Sequence, residues 1–221
     1  MDLPSGIFSQ SWIWTAWVIY GLVMFWAMLG CQWWRLADRD DAPVFYGAVI
    51  CVMLLWTMRT GITPGLNFHL LGVTALTLMF GWRYALMATS LAMLGITLIG
   101  QAGWETLAMN VLIMGAIPAL FTSFLLRIAQ THLPHNFFIY IFINGFVAGG
   151  LSGILVGLTT VGALLGADVH DMERLSYEYL PYFPLMFFPE GFFNGMLMTL
   201  IIGLRPQWAA TFSDDMYLKG K

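Results

Sequence analysis

The chain is 221 residues long, and 59% of its residues are hydrophobic whereas only 10% are charged. Soluble domains carry about 25% charged residues, so this composition excludes a soluble enzyme, a secreted disulfide scaffold and a disordered chain. Nucleic acid is excluded as a partner as well, because the net charge is −3 and binding to phosphates needs a basic surface. The composition predicts an integral membrane protein whose first partners are membrane lipids.

Seven apolar segments are candidates for membrane spans. In chain order they cover residues 12–34, 44–58, 66–80, 84–99, 106–126, 137–165 and 182–204. A transmembrane helix needs about 20 mostly apolar residues, and the second and third segments are shorter than that. Only helices and closed barrels satisfy their backbone groups in lipid, and the alternating segments of a barrel are missing. We therefore predict an all-α, polytopic integral membrane helix bundle with about seven transmembrane helices.

The basic residues predict how this bundle is oriented. Loops on the cytoplasmic side of a membrane carry an excess of Lys and Arg. If the N-terminus is outside, the outer loops hold only Arg59 and Arg174, and the inner loops hold the other seven basic residues: Arg35, Arg39, Arg83, Arg127, Arg205, Lys219 and Lys221. The N-terminus is thus expected outside and the C-terminus inside, in a multi-pass protein of a bacterial inner membrane.

No linker, charge run or duplication divides the sequence, which predicts a single transmembrane domain over residues 1–221. The sequence also contains no phosphate-binding loop, no Ser/His/Asp set and no H-E-x-x-H motif. We therefore expect neither an enzyme nor an organic cofactor. Energy for any active transport would have to come from other subunits.

A break rich in glycine and proline precedes His69, in the stretch GITPGLNFHLLG over residues 61–72. Irregular backbone at membrane depth is tolerated only where protein buries it or where it lines a cavity. We expect His69 one turn into a short apolar helix that follows the break. A neutral imidazole is a good ligand for late first-row divalent metals, although a hydrogen bond to a neighbouring carbonyl explains His69 as well.

Several blocks of sequence point together to one family. They are GLNFHLLG at 65–72, GWR at 81–83, IGQAGWE at 99–105, AMNVLIMG at 108–115, PEG at 189–191 and the opening MDLPSGIFS. The chain resembles the cobalt/nickel substrate-binding permeases of energy-coupling-factor transporters, the CbiM/NikM type, over most of its length. The family's own opening is Met-His-Ile-Pro-Asp-Gly.

The resemblance implies a metal site built from the very N-terminus. In the family, the amine of residue 1, the amide and imidazole of a histidine at residue 2, and a second histidine hold one metal ion. Carried over, Met1 supplies the amine and His69 matches the second histidine, but Asp2 stands in place of the family's first histidine. A carboxylate is a harder donor than imidazole, which argues against square-planar, all-nitrogen nickel binding and suits zinc, cobalt or manganese at least as well. The divalent transition metal expected as transported substrate is cobalt, nickel or zinc.

Other polar residues are candidates for supporting roles. Asn67 lines the same pocket or caps a helix start. Asn110 bonds a neighbouring helix or orients a ligand. Glu190 accepts an imidazole N–H or is a neutral buried acid. Asp168, His170 and Asp171 form an acidic outer loop that either gathers cations or is simply solvated.

Two functions remain open from the sequence. The first is a membrane permease, the substrate-binding component for uptake of a divalent transition metal ion. It would hold the metal at the outer face and depend on a transmembrane coupling subunit and ATPase subunits. The second is a non-transporting membrane subunit with the same fold that assembles with another membrane complex, which the change to Asp2 favours.

Overall fold

The computed structural model describes residues 2–36, 41–61 and 66–218. Met1, Arg39, residues 62–65 of the break and the last three residues, with both C-terminal lysines, lie outside that part. The helices are α1 Gln10–Leu29, α2 Asp41–Thr57, α3 Val73–Phe80, α4 Trp82–Leu98, α5 Leu107–His132, α6 Phe137–Gly166, α7 Met172–Glu178, α8 Phe183–Leu204 and α9 Asp214–Tyr217. Short 3-10 turns cover Trp33–Leu36, Leu180–Tyr182 and Pro206–Trp208, and π-helical segments lie within α5 and α6 at Leu112–Ala116 and Tyr140–Val147.

Four helical stretches are long and apolar enough to cross a membrane. They are α1, α5, α6 and the stretch Met172–Leu204, which contains α7 and α8. The apolar helix α2 is shorter, at 17 residues. The prediction of an all-helical membrane protein is thus confirmed, with four long apolar helices and several shorter ones.

The third expected span differs from the prediction. Only Val73–Phe80 is helical there, which at 1.5 Å per residue gives about 12 Å of helix against about 30 Å of hydrocarbon. His69 therefore lies before the helix and not one turn inside it. Gly72, with φ of 68°, begins α3 in the left-handed conformation that glycine adopts readily. The segment is apolar because it is buried, and a short apolar run does not by itself distinguish a helix from extended chain.

The short helix α3 lies at the centre of the bundle. Seven of its eight residues are buried, and it packs against α4, α5, α6 and α8. By contrast, α1 lies at the periphery, where only Ile13, Ala16 and Ala27 are buried. Because protein surrounds α3 on several sides, the irregular chain that leads into it is tolerated within a membrane protein.

Close contact between α6 and α8 depends on Gly191. A Cβ atom at this position would lie 2.7 Å from the backbone oxygen of Phe146 and 3.2 Å from the backbone nitrogen of Gly150. Backbone atoms cannot rotate away, so we expect Gly191→Ala to separate the helices and to cost about 1–3 kcal/mol of stability. Thermal unfolding in detergent measures this cost. Gly203→Ala is the matched control, because the added methyl group has no atom within 4 Å, and equal melting temperatures would contradict the prediction.

Candidate metal-binding site

The N-terminal segment is held inside the bundle by α5 and the residue before it. The amide of Leu3 donates to Oδ1 of Asn110 at 2.7 Å, and Nδ2 of Asn110 donates to the carbonyl of Leu3 at 3.1 Å. The hydroxyl of Thr106 donates to the same carbonyl at 2.8 Å. Both backbone groups of a residue that is only 1% exposed are thereby satisfied. Asn110 thus fixes the N-terminal segment rather than a neighbouring helix.

Asp2 is buried beside two polar side chains. Its amide donates to Oδ1 of Asn67 at 3.1 Å, and Nδ2 of Asn67 donates back to Oδ1 of the Asp2 carboxylate. The other carboxylate oxygen accepts from Nη1 of Arg59 and forms an ion pair with it. Asn67 therefore shares a pocket with Asp2 and does not cap a helix.

An antiparallel bridge shapes the loop between α2 and α3. The amide of Thr60 donates to the carbonyl of Phe68 at 2.9 Å, and the reverse bond is 2.7 Å long. Gly61 and Asn67 form the next pair on one side, and a Cβ on Gly61 would lie only 2.7 Å from the Cα of Asn67. The close approach of the two chain segments therefore requires glycine at this position.

The same register pairs Arg59 with His69 on the other side of the bridge. Successive side chains of extended chain point to opposite faces, so Arg59, Asn67 and His69 share one face. Phe68 points to the opposite face, where its ring stacks on Tyr179 with centroids 4.8 Å apart. The bridge thus directs Arg59 and Asn67 to the side on which Asp2 lies.

His69 is buried, with 5% of its surface exposed. Its Nδ1 lies 3.2 Å from the carbonyl oxygen of Leu70. A carbonyl only accepts, so Nδ1 carries the proton and Nε2 keeps the lone pair that a metal ligand needs. Burial lowers the pKa of this loop imidazole to about 4, against the opposite effect of the Asp2 carboxylate. His69 is therefore neutral at physiological pH.

Glu190 of α8 anchors the chain just after His69. Its carboxylate accepts from the amide of Leu71 at 2.7 Å, from the amide of Gly72 at 2.9 Å and from Nδ2 of Asn194 at 2.7 Å. Its partners among the described residues are thus backbone and amide groups. Of the two roles considered for Glu190, the bond to an imidazole N–H is not formed among these residues. Glu190 positions the His69 loop against α8.

Glu190→Gln tests this anchoring. A glutamine side chain offers one oxygen and one NH₂ group, so one of the two amides, of Leu71 or Gly72, loses its acceptor. A buried donor left without a partner costs about 1–3 kcal/mol, and we expect the loosened His69 loop to bind metal about tenfold more weakly. Metal titration and thermal unfolding check both effects. Glu173→Gln removes an exposed carboxylate from α7 and should change neither; equal behaviour of the two variants would refute the anchoring role.

The acidic loop that contains Asp168, His170 and Asp171 shows a local role for one of these three candidate residues. Oδ1 of Asp171 accepts from the amide of Arg174 at 2.8 Å and so caps α7. Asp168 is exposed, with a positive φ of 53°, and Nε2 of His170 is buried without a hydrogen-bond partner in the described part of the chain. Over residues 2–36, 41–61 and 66–218, no group of three or more His, Cys, Asp and Glu side chains could hold a metal ion.

Two cavities border the bridged loop. One, of about 340 Å³, is lined by Asp2, Arg59 and Asn67 together with Gln101. The other, of about 360 Å³, is lined by His69 and by residues of α8 and its preceding turn. Asp2 and His69 thus line different cavities beside the same loop. Met1, the third candidate ligand, lies outside the described residues.

The sequence as a whole identifies the family. Residues 2–208 match the model of CbiM, the cobalt uptake substrate-specific transmembrane region. The chain belongs to the CbiM family. As a CbiM-family protein it is a multi-pass, substrate-specific membrane component of transition metal uptake and not an enzyme. Of the two functions that the sequence left open, family membership supports uptake.

Solved structures share the CbiM-family fold. One is described as a truncated transition metal transporter, with a TM-score of 0.71 and 16% identity over 92% of this chain and 99% of that chain. The other is described as a transition metal transporter, with a TM-score of 0.71 and 17% identity over 92% and 93% of the two chains. At such identities the likeness concerns the fold. No curated protein matches the sequence.

Sequence reasoning missed two residues that shape this candidate site. Thr106 gave no signal beyond its place at the start of an expected span. Arg59 gave a stronger one, because it is a basic residue at the end of an apolar segment, directly before the glycine–proline break. A charge beside a membrane segment is a candidate for function, and this one faces the carboxylate at residue 2.

Proposed function

We propose that the chain binds one divalent transition metal ion at the outer end of the bundle, through the Met1 amine, the Asp2 carboxylate and the His69 imidazole. The observation that carries this proposal is the bonding of buried Asp2 to Asn67, two residues before His69. A second support is the neutral state of the buried His69 ring, since a protonated imidazole cannot ligate a metal.

The donor set suits cobalt, nickel or zinc as the transported substrate. An amine, a carboxylate and an imidazole form a mixed nitrogen and oxygen set, which divalent ions of the later first-row metals accept. Such a set does not favour a square of four nitrogens, so nickel has no geometric advantage over cobalt or zinc. No organic cofactor takes part in this proposal.

The proposed topology and partners are those of a membrane component for metal uptake. We propose a single domain over residues 1–221 with seven membrane passes, in which α2, α3 and α4 add to the four long helices. The N-terminus is outside, and the C-terminus is in the cytoplasm of a bacterium. A C-terminal tag reachable by protease from outside intact cells would contradict this topology. A transmembrane coupling subunit and ATPase subunits would supply the energy, because the sequence contains no nucleotide-binding motif.

Metal content tests the proposed function directly. We expect about one transition metal ion per chain after purification without chelator, measured by elemental analysis. Removal with chelator and titration with Co²⁺, Ni²⁺ and Zn²⁺ should restore the same stoichiometry and rank the three metals. A folded chain that binds none of them would overturn the proposal.

A further inference from the structure

The carboxylate of Asp2 already has a cationic partner in this structure. Nη1 of Arg59 forms an ion pair with Oδ2, and Nδ2 of Asn67 donates to Oδ1, so both carboxylate oxygens are in use. The pair is largely shielded from water, since 7% of the Asp2 side chain and 20% of the Arg59 side chain are exposed. The negative charge that a metal ion would use is thus neutralised by the chain itself.

The ion pair is not what places the N-terminal segment. Leu3 is bonded through both of its backbone groups to Asn110 and Thr106, and the amide of Asp2 is bonded to Asn67. None of these bonds involves the Arg59 side chain. Its effect therefore falls on the charge of the carboxylate and not on the position of the segment.

A guanidinium and a divalent ion compete for one carboxylate. Metal–carboxylate bonds are about 2.0–2.2 Å long, so an ion bound at Asp2 would lie in contact with a fixed positive charge. The guanidinium keeps its charge throughout the physiological pH range. Loading with metal therefore requires that the side chain of Arg59 move away from Asp2.

The geometry of Arg59 suits such a displacement. Nη2 is buried without a hydrogen-bond partner in the described part of the chain, and the ion pair runs through Nη1 to one carboxylate oxygen. A bidentate pair, with two parallel bonds, would be stronger. Arg59 also lines the cavity of about 340 Å³ beside Asp2 and Gln101, which leaves room for the side chain to swing.

We propose that Arg59 is a resident counter-cation that competes with the metal ion for Asp2 and sets the affinity of the site. This inference rests on the proposed metal site. When no metal is bound, Arg59 neutralises the charge of Asp2. When metal is bound, the positive charge of Arg59 repels the ion, so the ion is released more readily than it would be without Arg59. The residue tunes affinity and is not itself a ligand.

The test is Co²⁺ titration of the purified chain and three variants. We expect Arg59→Gln to bind Co²⁺ about tenfold more tightly than the wild type and to release it more slowly, because one positive charge next to the ion is removed. Arg59→Lys keeps that charge and should stay near the wild-type affinity. Arg174→Gln is the control for overall charge, since Arg174 is an exposed arginine of α7 paired with Glu178, and it should leave the affinity unchanged.

The outcomes separate this inference from the proposed function. If the wild type binds Co²⁺ and folded Arg59→Gln binds it equally or more weakly, the competition is refuted and the metal site stands. If neither binds Co²⁺, the proposed function fails and the competition with it. Loading of Arg59→Gln at Co²⁺ concentrations that leave the wild type mostly empty, with the wild type loading at higher concentrations, would support the competition. Should the glutamine variant not fold, Arg59→Met keeps the apolar length of the side chain without charge, and the same expectations apply to it.

Discussion

His69→Ala is expected to abolish high-affinity metal binding, with a loss of more than about 100-fold, while the chain stays folded. Even residues that only orient a metal ligand contribute about 10–100-fold to affinity, and His69 is proposed as a ligand itself. The imidazole makes a local hydrogen bond to the adjacent Leu70 carbonyl, so its loss should cost only about 1–3 kcal/mol of stability. Metal content, Co²⁺ titration and circular dichroism together measure the two effects.

His170→Ala is the matched control for this experiment. His170 lies between Asp168 and Asp171 in the acidic loop before α7, so the variant also tests whether that loop gathers cations. Unchanged Co²⁺ affinity is expected, because Asp171 is engaged in capping α7. If folded His69→Ala keeps the wild-type metal stoichiometry, His69 has a structural role and the proposed site is wrong.

Composition and hydropathy were sufficient to predict the class of fold. They indicated an all-helical membrane protein and placed α4, α6 and α8 within two residues of their observed bounds, whereas α5 runs six residues beyond its predicted end. The failure at residues 66–72 has a physical cause. Burial in the bundle selects apolar residues whatever the backbone does, and the bridge between Thr60 and Phe68 is a contact that hydropathy does not encode.

The residues of the candidate site were predictable only where they lie in a short sequence motif. His69, Asn67 and Asn110 lie in blocks that resemble a family. The structure bonds Asn67 and Asn110 to the N-terminal segment, and His69 follows Asn67 by two residues. The bonds that assemble them are long-range: Asp2 to Arg59 spans 57 residues, and Leu71 to Glu190 spans 119. Such pairings depend on how helices pack, and no local pattern in one sequence specifies them.

An N-terminal extension of even one residue is expected to destroy metal binding, whereas a C-terminal tag should be harmless. The bonds of Leu3 to Asn110 and Thr106 fix the register of the N-terminal segment. An added residue therefore moves the terminal amine by up to about 3.6 Å, which exceeds a metal–nitrogen bond of about 2.0–2.1 Å. The cavity beside Asp2 and Ser5 gives the extra residue space, so the extended chain should still fold.

The pH dependence of binding distinguishes the amine from the other two ligands. A terminal amine has a pKa of about 7.7–8.0 and must lose its proton before it ligates. The pKa of His69 is lowered to about 4, so this ring is already neutral at pH 6 and does not limit binding there. Affinity should therefore fall about tenfold per pH unit below about 7.7 if the amine is a ligand. An N-terminally extended chain that binds metal fully, with affinity flat from pH 8 to pH 6, would show that residue 1 is not a ligand. The chain would then share the fold of its family without the N-terminal metal site.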